Sequence, residues 1–233
     1  MAVSQRKQKK NRQRRQRRPA ISRRRNAFEP DDVDVVRLLE CKITREPMSD
    51  PLIDAMPPED RHRFDELGEL VHEQCGDLVE ELEHFQEKYP NVPIIYNYLT
   101  AVYQAAGRSE EAERLIEETY QRFPDYLFAL TNYVSLRLTQ NRMDEVEAVL
   151  DGRLHICMMY AHRRCFHISE VTAFMGMIIE YLFLTEKLDA ARSHLKLLKD
   201  INPDHPITRH AQRLLRKSAP LALLAKAMRR LAK

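Results

Sequence analysis

Five side chains that bind transition metals fall within one short stretch: His155, Cys157, His162, Cys165 and His167. Thiolate and imidazole are the ligands that Zn2+ prefers in a tetrahedral site. Their spacing, H-x-C-x4-H-x2-C-x-H, matches no standard knuckle. Cys is also a frequent buried filler that behaves as a small apolar side chain. The stretch therefore reads first as a packed insertion, with these five as the candidate ligands should a metal bind. No cofactor is expected.

The second concentration of chemistry is electrostatic. Residues 1–25 carry twelve Lys or Arg and no acid. Within them Arg12, Arg14, Arg15, Arg17, Arg18, Arg23, Arg24 and Arg25 could neutralise phosphates and release counterions. If about six charges engage single-stranded RNA, log K falls with log salt at a slope of about −4. No aromatic interleaves the cations, so base stacking is not offered. Residues 207–233 carry eight more bases, again without an acid, which leaves 26–206 with a balance of −17. The arm can thus bind a polyanion, fold against the acidic body, act as a nuclear address in a eukaryotic host, or simply solubilise the chain.

Catalytic signatures are lacking: there is no Gly-rich phosphate loop, no G-x-S-x-G elbow and no H-E-x-x-H. The acids Glu110, Glu111, Glu113, Glu117 and Glu118 sit at solvent positions of a helix pattern. The expectation is a protein that is not an enzyme. Four Cys without an apolar leader point to free thiols in a reducing compartment. No apolar run approaches bilayer length, so membrane association is not expected and the compartment reads as cytoplasmic, or nuclear in a eukaryote.

The elements that must position these groups are helical. Residues 93–126 read as two amphipathic helices joined at Gly107 and closed by Phe123-Pro124-Asp125. Tyr96, Leu99, Thr100, Tyr103, Ala112, Ile116 and Pro124 occupy the slots of a tetratricopeptide (TPR) repeat, which this stretch resembles. The resemblance extends over about 60–206. Leu130, Tyr133, Val134, Val146 and Leu150 recur in a second unit, with Asn141 at the turn. Ile178, Leu182, Ala191, Leu195, Leu198 and Pro203 recur in a third. A degenerate hairpin leads, with Phe64, Leu67 and Val71 on one helix, a break at Gly76, and Leu78, Leu82 and Phe85 on the next. Residues 151–168 exceed the period as an insertion, and Ser169 is the expected cap of the helix that follows.

The resemblance implies an all-α TPR-like solenoid, because one such hairpin cannot bury its apolar faces alone. It also implies a concave groove lined by Ile94, Tyr98, Ala101, Phe128, Asn132, Ala173 and Met177. TPR proteins that clamp a C-terminal carboxylate use cations at such positions. Only Asn132 matches here, so the groove suits a partner helix or an extended apolar peptide. The expected function is a protein–protein scaffold, with an RNA- or ribosome-associated protein as the alternative.

The domain plan places a disordered basic arm at 1–27 and a short helix with a Pro-rich linker at 28–59. The repeat domain spans 60–217, and a basic amphipathic helix at 218–233 caps it. Within the linker, Leu39–Pro51 is similar to the opening of a U-box ubiquitin-ligase domain. The downstream Tyr-Glu-Arg and Trp positions of that domain are missing, and the segment reads as linker.

Overall fold

The computed structural model describes residues 41–48, 50–73 and 77–216, all within one compact unit, Val36–Lys233. The basic arm, the break at Gly76, the helix at 218–233 and, apart from Cys41, the short helix at 31–41 lie outside the described residues.

Strand β1 (Lys42–Thr44) and the one-turn helix α1 (Pro51–Asp54) come first. Helices α2 (Pro58–Glu73) and α3 (Val79–Lys88) follow, then α4 (Pro93–Ala105) and α5 (Ser109–Arg122). Next are α6 (Leu127–Thr139) and α7 (Met143–Leu150). A short α8 (Ile156–Met159) and strand β2 (Cys165–His167) precede α9 (Ile168–Leu184) and α10 (Leu188–Ile201). Helix α11 starts at 206 and continues to 216, the last described residue. The fold is predominantly helical.

Three of the helix pairs close in the same way. Gly107, Asn141 and Glu186 take left-handed backbone angles, with φ of 73°, 56° and 59°. At each turn the following N–H reaches back five residues: Arg108 to the Tyr103 carbonyl, Arg142 to Arg137, Lys187 to Leu182. The left-handed residue itself donates to Gln104, Leu138 or Phe183. This paired closure is the Schellman motif, which satisfies the last carbonyls of a helix. Five residues past each turn stands a buried Ala112, Val146 or Ala191, where the second helix crosses the first. The turns lie 34 residues apart between Gly107 and Asn141, and 45 between Asn141 and Glu186.

The longer step has a local cause. Helix α7 has 8 residues where α5 and α10 have 14. Asp151 and Gly152 both turn left-handed and lead the chain out of the hairpin. The insertion then forms α8 and β2 before the pattern resumes at α9.

Strand β2 pairs in parallel with β1, Lys42 against Cys165, Ile43 against Phe166 and Thr44 against His167. This corrects the linker expectation for 28–59, because residues 42–44 are strand and 51–54 helix. Met56, in the same segment, is buried against Phe64 and Leu67. A second correction concerns the thiols. Cys41 is bonded to Cys157, with their Cα atoms 6.4 Å apart across 116 residues of sequence. Among the described residues Cys165 is free. Residues 41–56 and 151–168 thus form a small annex on the helices.

The cap of α9 also differs from expectation. His167 holds that place, and Ser169 lies in the first turn. The Ser169 N–H donates to His167 Nδ1 at 3.3 Å, and the His167 N–H donates to the Glu170 carboxylate at 2.9 Å. Accepting at Nδ1 leaves the ring proton of neutral His167 on Nε2, which faces the Arg45 carbonyl at 3.4 Å. An imidazole does the work of a Ser here, with the residue just past β1 facing its second nitrogen.

Two apolar clusters make up the core. One joins Phe64, Leu67, Leu82, Phe85, Ile95 and Leu99; the other joins Leu127, Val134, Phe166, Phe174, Ile178 and Leu182.

Candidate functional site

The five metal-type side chains do not converge. Cys157 is bonded to Cys41, His167 caps α9, and Cys165 stands on β2. His162 is exposed, 4.0 Å from Asp125. His155 stacks on His194 at 5.6 Å, and burial pushes both imidazoles below their usual range. Among the described residues no three His, Cys, Asp or Glu are placed to hold a metal. The fold sends each of these side chains to a different neighbour.

What holds the insertion instead is an ion pair on an aromatic base. The Arg163 guanidinium donates to both Glu170 oxygens at 2.9 and 2.8 Å and lies 4.5 Å above the Phe166 ring. Phe166 is fully buried. Just past the other strand, Arg45 donates to the Ile201 carbonyl at 3.0 Å and ties the end of β1 to the end of α10.

The seven expected groove residues divide. Tyr98 is covered, its ring stacked on Phe64 at 5.6 Å and edge-on to His72 at 6.1 Å. A Cβ at Gly68 would come within 2.8 Å of the Tyr98 hydroxyl, so glycine there lets α2 close over the ring. Ile94 packs half-buried on the same cluster, and Ala101 is exposed. Phe128 rests against Tyr126 at 5.6 Å. The Asn132 amide donates to Asn97 Oδ1 at 2.9 Å, linking α6 to α4. Tyr126 has a buried hydroxyl without a hydrogen-bond partner among the described residues. Burial drives its pKa well up, with Tyr98, Glu170 and Asp50 adding to the effect.

Asn132, Ala173 and Met177 do meet. They line a cavity of about 190 Å3 between α6, α9 and α11, with Ser135, Gly176, Glu180, Ile207, His210, Ala211 and Leu214. Met177 is a correction in part, because at 3% exposure it forms the floor of the cavity and belongs to the core. Gly176 sets the spacing of the walls. A Cβ there would lie 2.3 Å from Ile207 Cγ2, so only glycine admits α11 this close.

Glu180 is the residue that sequence reasoning missed. Its half-buried carboxylate makes no hydrogen bond or ion pair with any described residue. Burial pushes its pKa up, against the pull of nearby His210. A signal existed: between Glu170 and Glu186, Glu180 is the one charged residue in an otherwise apolar helix. Chemically, the cavity offers apolar walls, the Asn132 side chain, the His210 imidazole and a carboxylate that makes no ion pair among the described residues. It favours a ligand that is mostly apolar and carries one positive group.

Comparison with known protein families, with curated proteins and with solved structures finds no match.

Proposed function

We propose that this chain is a non-enzymatic interaction scaffold of the TPR type, with stacked hairpins whose first helices share a binding face. A partner helix or apolar peptide occupies the cavity between α6, α9 and α11. The observation that carries this reading is the cavity itself, with its mostly apolar lining and a Glu180 that makes no ion pair among the described residues. The three equal turns at Gly107, Asn141 and Glu186 support the repeat character. Among the described residues no helix is long and apolar enough to cross a membrane.

The test is site-specific photocrosslinking of the full chain in its native cell. A photoreactive residue at Ser135 or Leu214, both on the cavity wall, should capture a partner polypeptide. The same residue at exposed Ala148 on α7 should not. Equal capture at all three positions, or none at the wall, would sink the groove.

One observation favours a second activity. Arg209, Arg213 and Arg216 are exposed at i, i+4 and i+7 of α11, a cationic stripe on one face, in a chain whose residues 1–25 hold twelve bases. This supports RNA association through the basic segments. Filter binding across a salt series measures it. Replacing the arm's arginines by glutamine should lower affinity and flatten the salt slope, and an unchanged affinity removes the arm from that role.

A further inference from the structure

The helices α10 and α11 carry a charge opposite to that of the described chain before them. Residues 41–186 hold thirteen Lys or Arg against twenty-seven acids, and residues 187–216 hold seven against three. Resting on the RNA reading above, we infer that the outer face of α11 seats the phosphodiester backbone of a single-stranded polynucleotide. Arg209, Arg213 and Arg216 each take a phosphate there, without regard to base sequence.

Burial fixes which side of the helix faces out. Thr208, Ala211 and Leu215 are buried at i, i+3 and i+7 and hold α11 against the fold. Each arginine stands one or two positions past a buried residue, about 100° or 200° round the helix, and all three are exposed. Their row is about 10 Å long at a rise of about 1.5 Å per residue. Because the buried side holds the backbone, binding orders side chains alone.

The arginines are also open to a ligand. In the acidic part of the chain Arg63, Arg108, Arg137, Arg142 and Arg163 each pair with a carboxylate. Arg213 and Arg216 make no ion pair with a described residue. Arg209 lies 3.8 Å from Asp204, with both side chains largely exposed. A phosphate can therefore be gained without breaking a buried pair, and the guanidinium fork matches its oxygens two at a time. Pro206, Arg209, Gln212 and Arg213 line an open hollow of about 360 Å3, where the Gln212 amide adds a neutral donor beside two guanidiniums. The acidic part repels a polyanion, which confines the strand to this end. No Phe, Tyr or Trp occurs in 206–216, so bases find nothing to stack on and the contact reads backbone alone.

The experiment follows binding of the full chain to a labelled twelve-nucleotide oligouridylate by fluorescence anisotropy, from about 50 to about 200 mM salt. Each phosphate contact on a single strand adds about −0.7 to the slope of log K against log salt, so three add about −2. Replacing Arg209, Arg213 and Arg216 together by Gln should flatten the slope by that amount and lower affinity at low salt about tenfold or more. Lys at the same three positions should keep the slope, since the charges remain. A control set, Lys88→Gln, Arg114→Gln and Arg142→Gln, removes the same charge from exposed sites in the acidic part and should leave the slope unaltered. Oligoadenylate and oligothymidylate should bind within about threefold of oligouridylate and lose the same slope in the α11 variant. Circular dichroism checks that each variant is folded.

A wild-type slope in the α11 glutamine variant overturns the inference, because the face is then left to solvent. If the arm's arginines carry the whole slope in that case, the RNA reading stands without this seat. If neither set alters binding, both fall. Equal flattening by the control set assigns the effect to net charge and overturns the seat as well. So does a strong preference among the three oligonucleotides, or use of the three arginines on phosphatidylserine vesicles under salt at which no oligonucleotide is held.

Discussion

The α4–α5 hairpin and the annex bury comparable side chains by contacts of opposite range. In the hairpin, Ile95, Leu99, Ala112 and Leu115 are buried by helices next to one another in sequence. In the annex, Phe166 is fully buried on a strand whose one partner among the described residues is more than a hundred residues earlier, and Cys157 is tied to Cys41 over a similar distance. The hairpin orders few residues for each contact it makes. The annex must close most of the chain into a loop first, an entropy that its cross-link and its buried ion pair help to offset.

That contrast can be broken most forcefully at the cross-link. For a loop of this size the chain-entropy account gives about 4–5 kcal/mol, so Cys157→Ser should lower stability by up to that amount. Urea unfolding with and without reductant measures it. Wild type under reductant should match the variant, and exchange protection should fall first at Ile43 and Phe166, with Leu99 spared. Simultaneous loss at all three would erase the distinction between the regions.

Phe166→Ala comes next, at about 3–5 kcal/mol, since it removes both a core side chain and the ring beneath Arg163. Its loss should also weaken the Arg163–Glu170 pair, which the double-mutant cycle with Arg163→Met would show as coupling. Leu99→Ala should cost about 2–5 kcal/mol and show no coupling to Arg163. Coupling there would mean that the two clusters act as one.

The third handle is pH. Burial holds His155 and His194 below their ordinary value of 6.5 in the folded chain. As pH falls through that value the unfolded chain takes up their protons first, so it binds more protons than the folded one. Their contribution is therefore full above about pH 7 and declines toward pH 5. Glu180 acts with the opposite sign at lower pH, because its raised pKa makes the folded chain the better proton acceptor. Urea midpoints at pH 7.5 and 5.5 should differ in wild type, and replacing both histidines by glutamine should shrink the difference. A slope unaltered by that double substitution would place the titration elsewhere.

The smallest effect sharpens the hairpin side. Glu186 holds a left-handed angle without glycine's freedom, so Glu186→Gly should stabilise by about 1 kcal/mol, and Gly107→Ala should destabilise by about as much. Thermal melts of the two variants should move in opposite directions. A shift in the same direction would show that the turns are not equivalent.

Much of the helical pattern was legible because its signals are local. Apolar residues at helical spacing, Pro93 at a helix start, and the turns at Gly107 and Asn141 all follow from interactions within a few residues. Glu186 escaped notice because nothing in a glutamate advertises a left-handed turn. Arg137 escaped too: it fills a buried slot where the neighbouring hairpins carry Tyr103 and Leu182, and Glu117 and Glu145 satisfy its charge from adjacent helices. The grouping of His and Cys in the insertion carried little, since proximity in sequence says nothing about which way three rings and two thiols turn once a strand, a disulfide and a helix cap each claim one.

By itself the sequence determined that the chain is predominantly helical, where its paired helices lie and where charge gathers along it. Each of those depends on neighbours within a turn or two, which the order of residues specifies directly. Only the tertiary structure decided that residues 42–44 are a strand, that Cys41 meets Cys157, that Tyr98 is covered and that Glu180 stands in a cavity without an ion pair among the described residues. Those depend on which distant surfaces meet, and that choice is made by the burial of the whole core.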